Sequence, residues 1–305
     1  MDTAQVPAGS IVVGVDGSRS SDQALGWAVD QAALERRPLT IVHSAEPLSF
    51  AGAGFMVPAG GIDYAQLLEE SRAAAGALLR SSAARAHAAH PELVVHEVLI
   101  NSDPRSALIG LGRAAAMVVV GSRGRGPVAS LLLGSVSVSV SKHATCPVVV
   151  HRPAPADAPR HGILVGVDGT ETSLPAIEFA YRMAAWRGLP LTVLHCYWDA
   201  TLAAPRHVEA GQPESGSEQA LVAESLAGMQ EKFPEVEVEV RLTHGFADQH
   251  LINASRSFDL LVIGHHPLPG LDDLIHRSVA PAVVEHAHGP VAVVVSPSSL
   301  AGSDH

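Results

Sequence analysis

With 305 residues, 47% of them hydrophobic and 17% charged, the chain is long enough for two packed domains and too apolar to be disordered. Aromatic residues make up only 4%, so its cores are expected to be aliphatic. A formal charge of -11 repels phosphate backbones, which excludes non-specific nucleic-acid binding and leaves any anionic ligand to local donors.

In chain order, the first predicted strand covers 11–15 and is followed by a helix over 20–36. There Ala24, Leu25, Ala28, Val29, Ala32 and Ala33 recur at helical spacing after a serine start. Further Val/Ile-rich runs at 39–43, 93–100, 117–120 and 148–150 read as strands. Asp103-Pro104 opens a helix carrying Ala107, Leu108 and Leu111. Strand and helix alternate, so right-handed crossovers and a doubly wound parallel sheet are expected. The segment Ser135-Val136-Ser137-Val138-Ser139-Val140-Ser141 alternates with period two and, taken alone, reads as a strand. A helix is expected instead, because the equivalent 278–286 alternates less and an anion site needs a helix N-terminus here. The prolines of 152–161 (Pro153, Pro155, Pro159) then mark a linker.

Beyond the linker the pattern starts again. Ile11-Val12-Val13-Gly14-Val15-Asp16-Gly17-Ser18 returns as Ile163-Leu164-Val165-Gly166-Val167-Asp168-Gly169-Thr170, and Pro38 to His43 as Pro190 to His195, both at an offset of 152. Met117 to Gly121 returns as Leu260 to Gly264, and Cys146 to Val150 as Gly289 to Val293, at an offset of 143. The chain is a duplication, with domains at 1–151 and 162–305 and a deletion of nine residues inside the second copy. In that copy 235–242 places charges at alternate positions, as an exposed outer strand would. The last strands, Val148, Val149 and Val150 and then Val291–Val295, carry no charge, so they are expected to pair with each other or with another chain, giving a homodimer.

After the fourth strand comes Gly121-Ser122-Arg123-Gly124-Arg125-Gly126, then Gly134-Ser135. Glycine lets backbone approach a ligand and adopt φ > 0, turning successive N–H groups into an anion nest. A helix from Ser135 would add free N–H groups and the positive end of its dipole, with Ser135, Arg123 and Arg125 as further donors. The loop is neither a Walker loop nor a dinucleotide fingerprint.

Gly-x-x-Gly, nine residues and Gly-Ser at this position resemble the ATP-binding loop of universal stress proteins. The opening Val-Gly-Val-Asp-Gly-Ser and the ending from His143 to Val150 are similar to that family too, and the resemblance covers almost the whole chain twice, as in tandem-type members. It implies two Rossmann-like α/β domains, each with a five-stranded parallel sheet of order 3-2-1-4-5, ATP at the carboxyl ends of strands 1 and 4, and dimerisation through the last strand. By motif match Asp16 would contact the adenosine part, Gly14 would admit the nucleotide to strand 1, and Val42 would line the adenine pocket. Gly121, Gly124, Gly134, Ser135 and Val136 would cradle ribose and phosphates, with Ser122, Arg123, Arg125, Gly126 and Ser137 around them and Mg2+ as a possible companion of ATP. Asp16 equally suits a turn cap, Arg125 a solvated surface, and Val42 a plain core position.

In the second copy Gly166, Asp168, Gly264 and Ser278 persist, whereas Pro267, Pro269 and Arg277 replace Gly124, Gly126 and Gly134. One ATP per chain is therefore expected. The 17 histidines show no ligand spacing, and Cys146 and Cys196 no metal motif, so no metal site is expected and both cysteines read as reduced core residues. No apolar run reaches the roughly 18 residues of a membrane span and no secretory signal is legible, so the expectation is a cytoplasmic protein. The reading is an ATP-binding regulator of the stress response in which fast hydrolysis has no positioned base. An adenine-nucleotide enzyme of a related α/β fold and a nucleotide-free scaffold are the alternatives.

Overall fold

The structure, a computed structural model, describes residues 6–45, 64–124, 133–153, 155, 157–197, 215–265 and 279–296. The chain divides into two compact units, Met1–His151 and Arg152–His305. Unit 1 runs β1 (Ile11–Gly14), α1 (Arg19–Glu35), β2 (Leu39–Ser44), α2 (Tyr64–Ala89), β3 (Val95–Ile100), α3 (Pro104–Gly112), β4 (Met117–Gly121), α4 (Ser135–His143) and β5 (Val148–His151). Its strands lie parallel in the order β3-β2-β1-β4-β5. Unit 2 runs β6 (Ile163–Val167), α5 (Leu174–Arg187), β7 (Leu191–Tyr197), α6 (Ser215–Ser225), α7 (Met229–Lys232), β8 (Val238–His244), α8 (Ala247–Ala254), β9 (Leu260–His265), α9 (Val279–His286) and β10 (Val291–Val295). Its order, β8-β7-β6-β9-β10, is the same one, again parallel. Both units are therefore the doubly wound 3-2-1-4-5 sheet.

Local chemistry explains the element ends. Ser18 sits in extended backbone and its side chain accepts the Ser21 N–H, which starts α1. Asp103 accepts the N–H groups of Arg105 and Ser106, and Pro104 occupies the first turn of α3, where a missing N–H costs nothing. The Arg105 guanidinium beside it holds the Asp103 carboxyl down at about 2, so that cap stays ionised through the physiological range. α1 ends on Arg36 at φ 51°, the one non-glycine with positive φ among the described residues; its repeat counterpart Gly188 ends α5 at φ 60°. The same left-handed C-cap is thus made with and without the Cβ penalty.

The period-two segment is the helix α4. Its buried residues are Ser137, Val140 and Ser141, a helical face, while Val138 is 48% exposed. Small serines let this face sit close, and the Ser137 hydroxyl donates to the Gly121 carbonyl at 2.7 Å, tying α4 to the end of β4. The outer strand of unit 2 carries its charges outward as expected, with Glu239 and Arg241 paired at 2.7 Å, but it begins at Val238 and not at Glu235. Arg152, the first residue of the expected linker, is buried in unit 2. Its guanidinium donates to the carbonyls of Val284, Glu285 and Ala287 at the end of α9. Cys146 is buried and its thiol is pushed up to about 12, whereas Cys196 is only partly buried, a correction to its reading as a core residue.

Candidate functional site

In unit 1 the strand order reverses between β1 and β4, and the carboxyl ends of β1, β2 and β4 open onto a cavity of about 910 Å³. Gly14, Asp16, Val42, Gly121, Arg123, Gly124, Gly134, Ser135, Val136 and Ser137 line it, so the structure brings together residues up to 123 positions apart in sequence. Arg125 and Gly126 lie outside the described residues. Ser122 stands behind the wall: it is 6% exposed, its carbonyl accepts the Gly134 N–H and its Oγ meets Ser20 Oγ at 3.5 Å.

One end of the cavity is built for an anion. Gly134 is the N-cap of α4 and offers no side-chain cap. The Val138 N–H bonds the Gly134 carbonyl, so the N–H groups of Ser135, Val136 and Ser137 precede the first helical bond at the cavity wall. Three such groups at the positive end of a helix dipole hold negative charge well. Ser137 contributes only its backbone, because its hydroxyl is committed to Gly121.

The glycines owe their place to space, not to handedness. Gly134 has φ -78° and ψ 152°, and neither Gly121 nor Gly124 is among the positive-φ glycines, which corrects the expectation of a left-handed nest. A Cβ on Gly121 would lie 2.7 Å from the Ser20 backbone carbon, and one on Gly14 would lie 3.1 Å from Leu108 Cδ1. Gly121 therefore admits the start of α1, and Gly14 admits a leucine of α3. A Cβ on Gly124 would come 2.8 Å from Asp16 Oδ2, whereas on Gly134 it would make only ordinary contacts of 3.6–3.7 Å with Ser122, Arg123 and Gly124. Asp16 serves both of its readings: Oδ1 accepts the Ser18 N–H at 2.9 Å and caps the turn, and the side chain also lines the cavity. Val42 is 2% exposed and reaches the cavity from β2.

Sequence reasoning missed several walls. His43 and Ser44 continue β2 past Val42 and Ala45 follows it, a position its carboxyl end would have flagged. Ser71 of α2, with Pro104 and Leu108 of α3, carries no local signal and enters only through packing. In unit 2, Gly166 likewise faces a leucine, with Leu251 Cδ1 at 3.0 Å, and Asp168 caps its turn by accepting from Thr170 N–H and the Ser173 hydroxyl. Gly264 is the next-to-last residue of β9, where its counterpart Gly121 ends β4, but Pro267, Pro269, Arg277 and Ser278 fall outside the described residues. Among the described residues no three His, Cys, Asp or Glu side chains converge as a metal ion would require, and no helix is long and apolar enough to cross a membrane.

The model of the universal stress protein family matches the chain twice, over residues 8–152 and 159–295. A universal stress protein of Mycobacterium tuberculosis is 35% identical over 291 residues, covering 93% of this chain and 96% of that one. One from Mycolicibacterium smegmatis is 34% identical with the same coverage of both. Among solved structures, a universal stress protein from Archaeoglobus fulgidus shares the fold, with a TM-score of 0.69 at 18% identity over 94% of this chain and 98% of that one.

Proposed function

The chain belongs to the universal stress protein family, and on that premise we propose that unit 1 binds ATP in the cavity at its strand ends and that occupancy, not turnover, carries a stress-response signal. The observation that supports this most is the α4 N-terminus, left without a side-chain cap and set beside Gly124 and Gly134 at the reversal of strand order. A cavity of about 910 Å³ suits a nucleotide-sized ligand. Phosphates would lie against Ser135, Val136 and the Arg123 side, bringing any Mg2+ with them, and the adenosine part would lie along Asp16 and Val42. Mass spectrometry of nucleotide released from the purified protein tests the assignment, and a chain that neither carries nor takes up ATP refutes it.

Stoichiometry follows from the second copy. Pro267 and Pro269 each lack an N–H where Gly124 and Gly126 have one, and Arg277 stands where Gly134 lets backbone come close. Calorimetric titration is expected to give one tight ATP per chain; two sites of similar affinity would contradict the loss of the second. The same reading includes a homodimer held through the uncharged last strands, β5 and β10. Light scattering should therefore return twice the chain mass of 31.6 kDa, and a monomeric mass at micromolar concentration removes the dimer from the proposal.

A further inference from the structure

The two units treat one histidine differently. His43 and His195 are repeat counterparts, each in the strand second in chain order of its unit. His43 Nδ1 lies 2.7 Å from the Val15 carbonyl and His195 Nδ1 lies 3.0 Å from the Val167 carbonyl. A carbonyl only accepts, so Nδ1–H donates in both, and in a neutral ring Nε2 is left as the acceptor. In unit 2 that atom is occupied: Glu218 of α6 places Oε2 at 3.0 Å from His195 Nε2. Whichever of the two holds the shared proton, Nε2 is no longer open to a ligand.

Among the described residues of unit 1 no carboxylate takes that place. At the repeat offset of 143, which pairs Val95 with Val238, buried Leu79 with buried Val222, and buried Ser82 with buried Ser225, Glu218 corresponds to Ala75. Alanine offers the ring no acceptor, and among the described residues no hydrogen bond reaches His43 Nε2 while the residue lines the cavity. Ser71, which also lines the cavity, stands one turn before Ala75 on the same helix, so this stretch of α2 borders the site.

Position decides which part of a nucleotide meets the ring. β1 lies between β2 and β4, so the end of β2 is two strand spacings, about 10 Å, from the end of β4 beside the anion-holding helix. A nucleotide with its phosphates at α4 extends its base toward β2. We propose that His43 reads the base of the bound nucleotide, its Nε2 accepting a hydrogen bond from an exocyclic amine, and that the Ala75-to-Glu218 exchange withdraws this function from unit 2. The proposal rests on the ATP-binding reading of unit 1.

The test titrates the full chain with ATP and with inosine triphosphate, which keeps the phosphates and sugar but carries an oxo acceptor in place of the amine. An acceptor facing an acceptor leaves both without a partner, so ATP is expected to bind on the order of 10- to 100-fold more tightly. His43→Asn retains a side-chain N–H for the Val15 carbonyl but ends short of the cavity, and it should reduce that preference to less than about 3-fold. Ala75→Glu, which installs the unit 2 arrangement, should weaken ATP more than inosine triphosphate. Equal affinities in the unmodified protein, or a preference that survives His43→Asn, overturn the role of His43 and leave ATP binding standing. Failure of both nucleotides to bind overturns the role and the ATP reading together.

Discussion

Replacing Gly134 by valine is expected to remove ATP binding from unit 1 while its fold remains. The N-cap backbone is extended at φ -78°, which any residue adopts, and a Cβ there meets Ser122, Arg123 and Gly124 at no less than 3.6 Å. The folded protein thus has room for the first carbon, and a poorer N-cap costs under about 1 kcal/mol. For a unit of this size that lowers the melting temperature by about 2–4 °C. A phosphate lying against the uncapped N–H groups of α4 has no such room, because two methyl groups would stand in the approach that glycine leaves open. Losing two such bonds, at about 1–3 kcal/mol each, weakens binding by at least about 30-fold. Calorimetry with ATP, read beside a thermal melt, checks both halves. An unchanged affinity would falsify the placement of phosphate at this helix end.

Gly121→Ala should show the opposite signature, a loss of stability whether or not nucleotide is present. Its Cβ would sit 2.7 Å from the backbone carbon and Oγ of Ser20 and 2.8 Å from the Ser20 carbonyl oxygen. None of these is the loose end of a flexible side chain. Ser20 lies in the first turn of α1, which Ser18 caps through Ser21, and the Ser20 hydroxyl also accepts the Arg123 N–H at 3.2 Å. The strand and the helix must therefore part, and overpacking against backbone costs about 3 kcal/mol or more. A fall in melting temperature of about 6–12 °C is the expected reading for unit 1. A melt within 2 °C of the unmodified protein would show that β4 and α1 are not held this tightly. The two glycines of one motif thus separate by measurement: Gly134 by affinity and Gly121 by stability.

Much of this protein was legible in its residues. The duplication, the alternation of apolar strands with amphipathic helices, and the Asp103-Pro104 opening all appear in the structure, while the serine start expected at Ser20 is made by Ser18, which caps α1 from Arg19. Each of these depends on side chains within a few positions of one another, where backbone hydrogen bonding and periodic burial act locally. The cavity wall from Gly121 to Ser135 was legible for the same reason, since the strand-ending glycine and the glycine-serine pair before a helix are neighbours in the chain.

What the residues could not decide was contact between distant elements. The Ser135 to Ser141 segment carries a strand's alternation, yet it is a helix because Ser137, Val140 and Ser141 pack inward and Ser137 bonds Gly121, sixteen positions away. Gly14 and Gly121 read as openings for a ligand, and the structure gives that space to Leu108 and to Ser20. Gly134 read as a source of left-handed backbone and is extended. Ser71 and Pro104 reach the cavity wall from α2 and α3 without any local mark. Sequence by itself determined the elements, their repeat and the end of the sheet where the cavity lies, because hydrogen bonds and turn chemistry set those over a few residues. Which atoms face the cavity and which face only each other was decided by tertiary packing, where approach distances of a few tenths of an ångström separate a glycine with room beside it from a packing one.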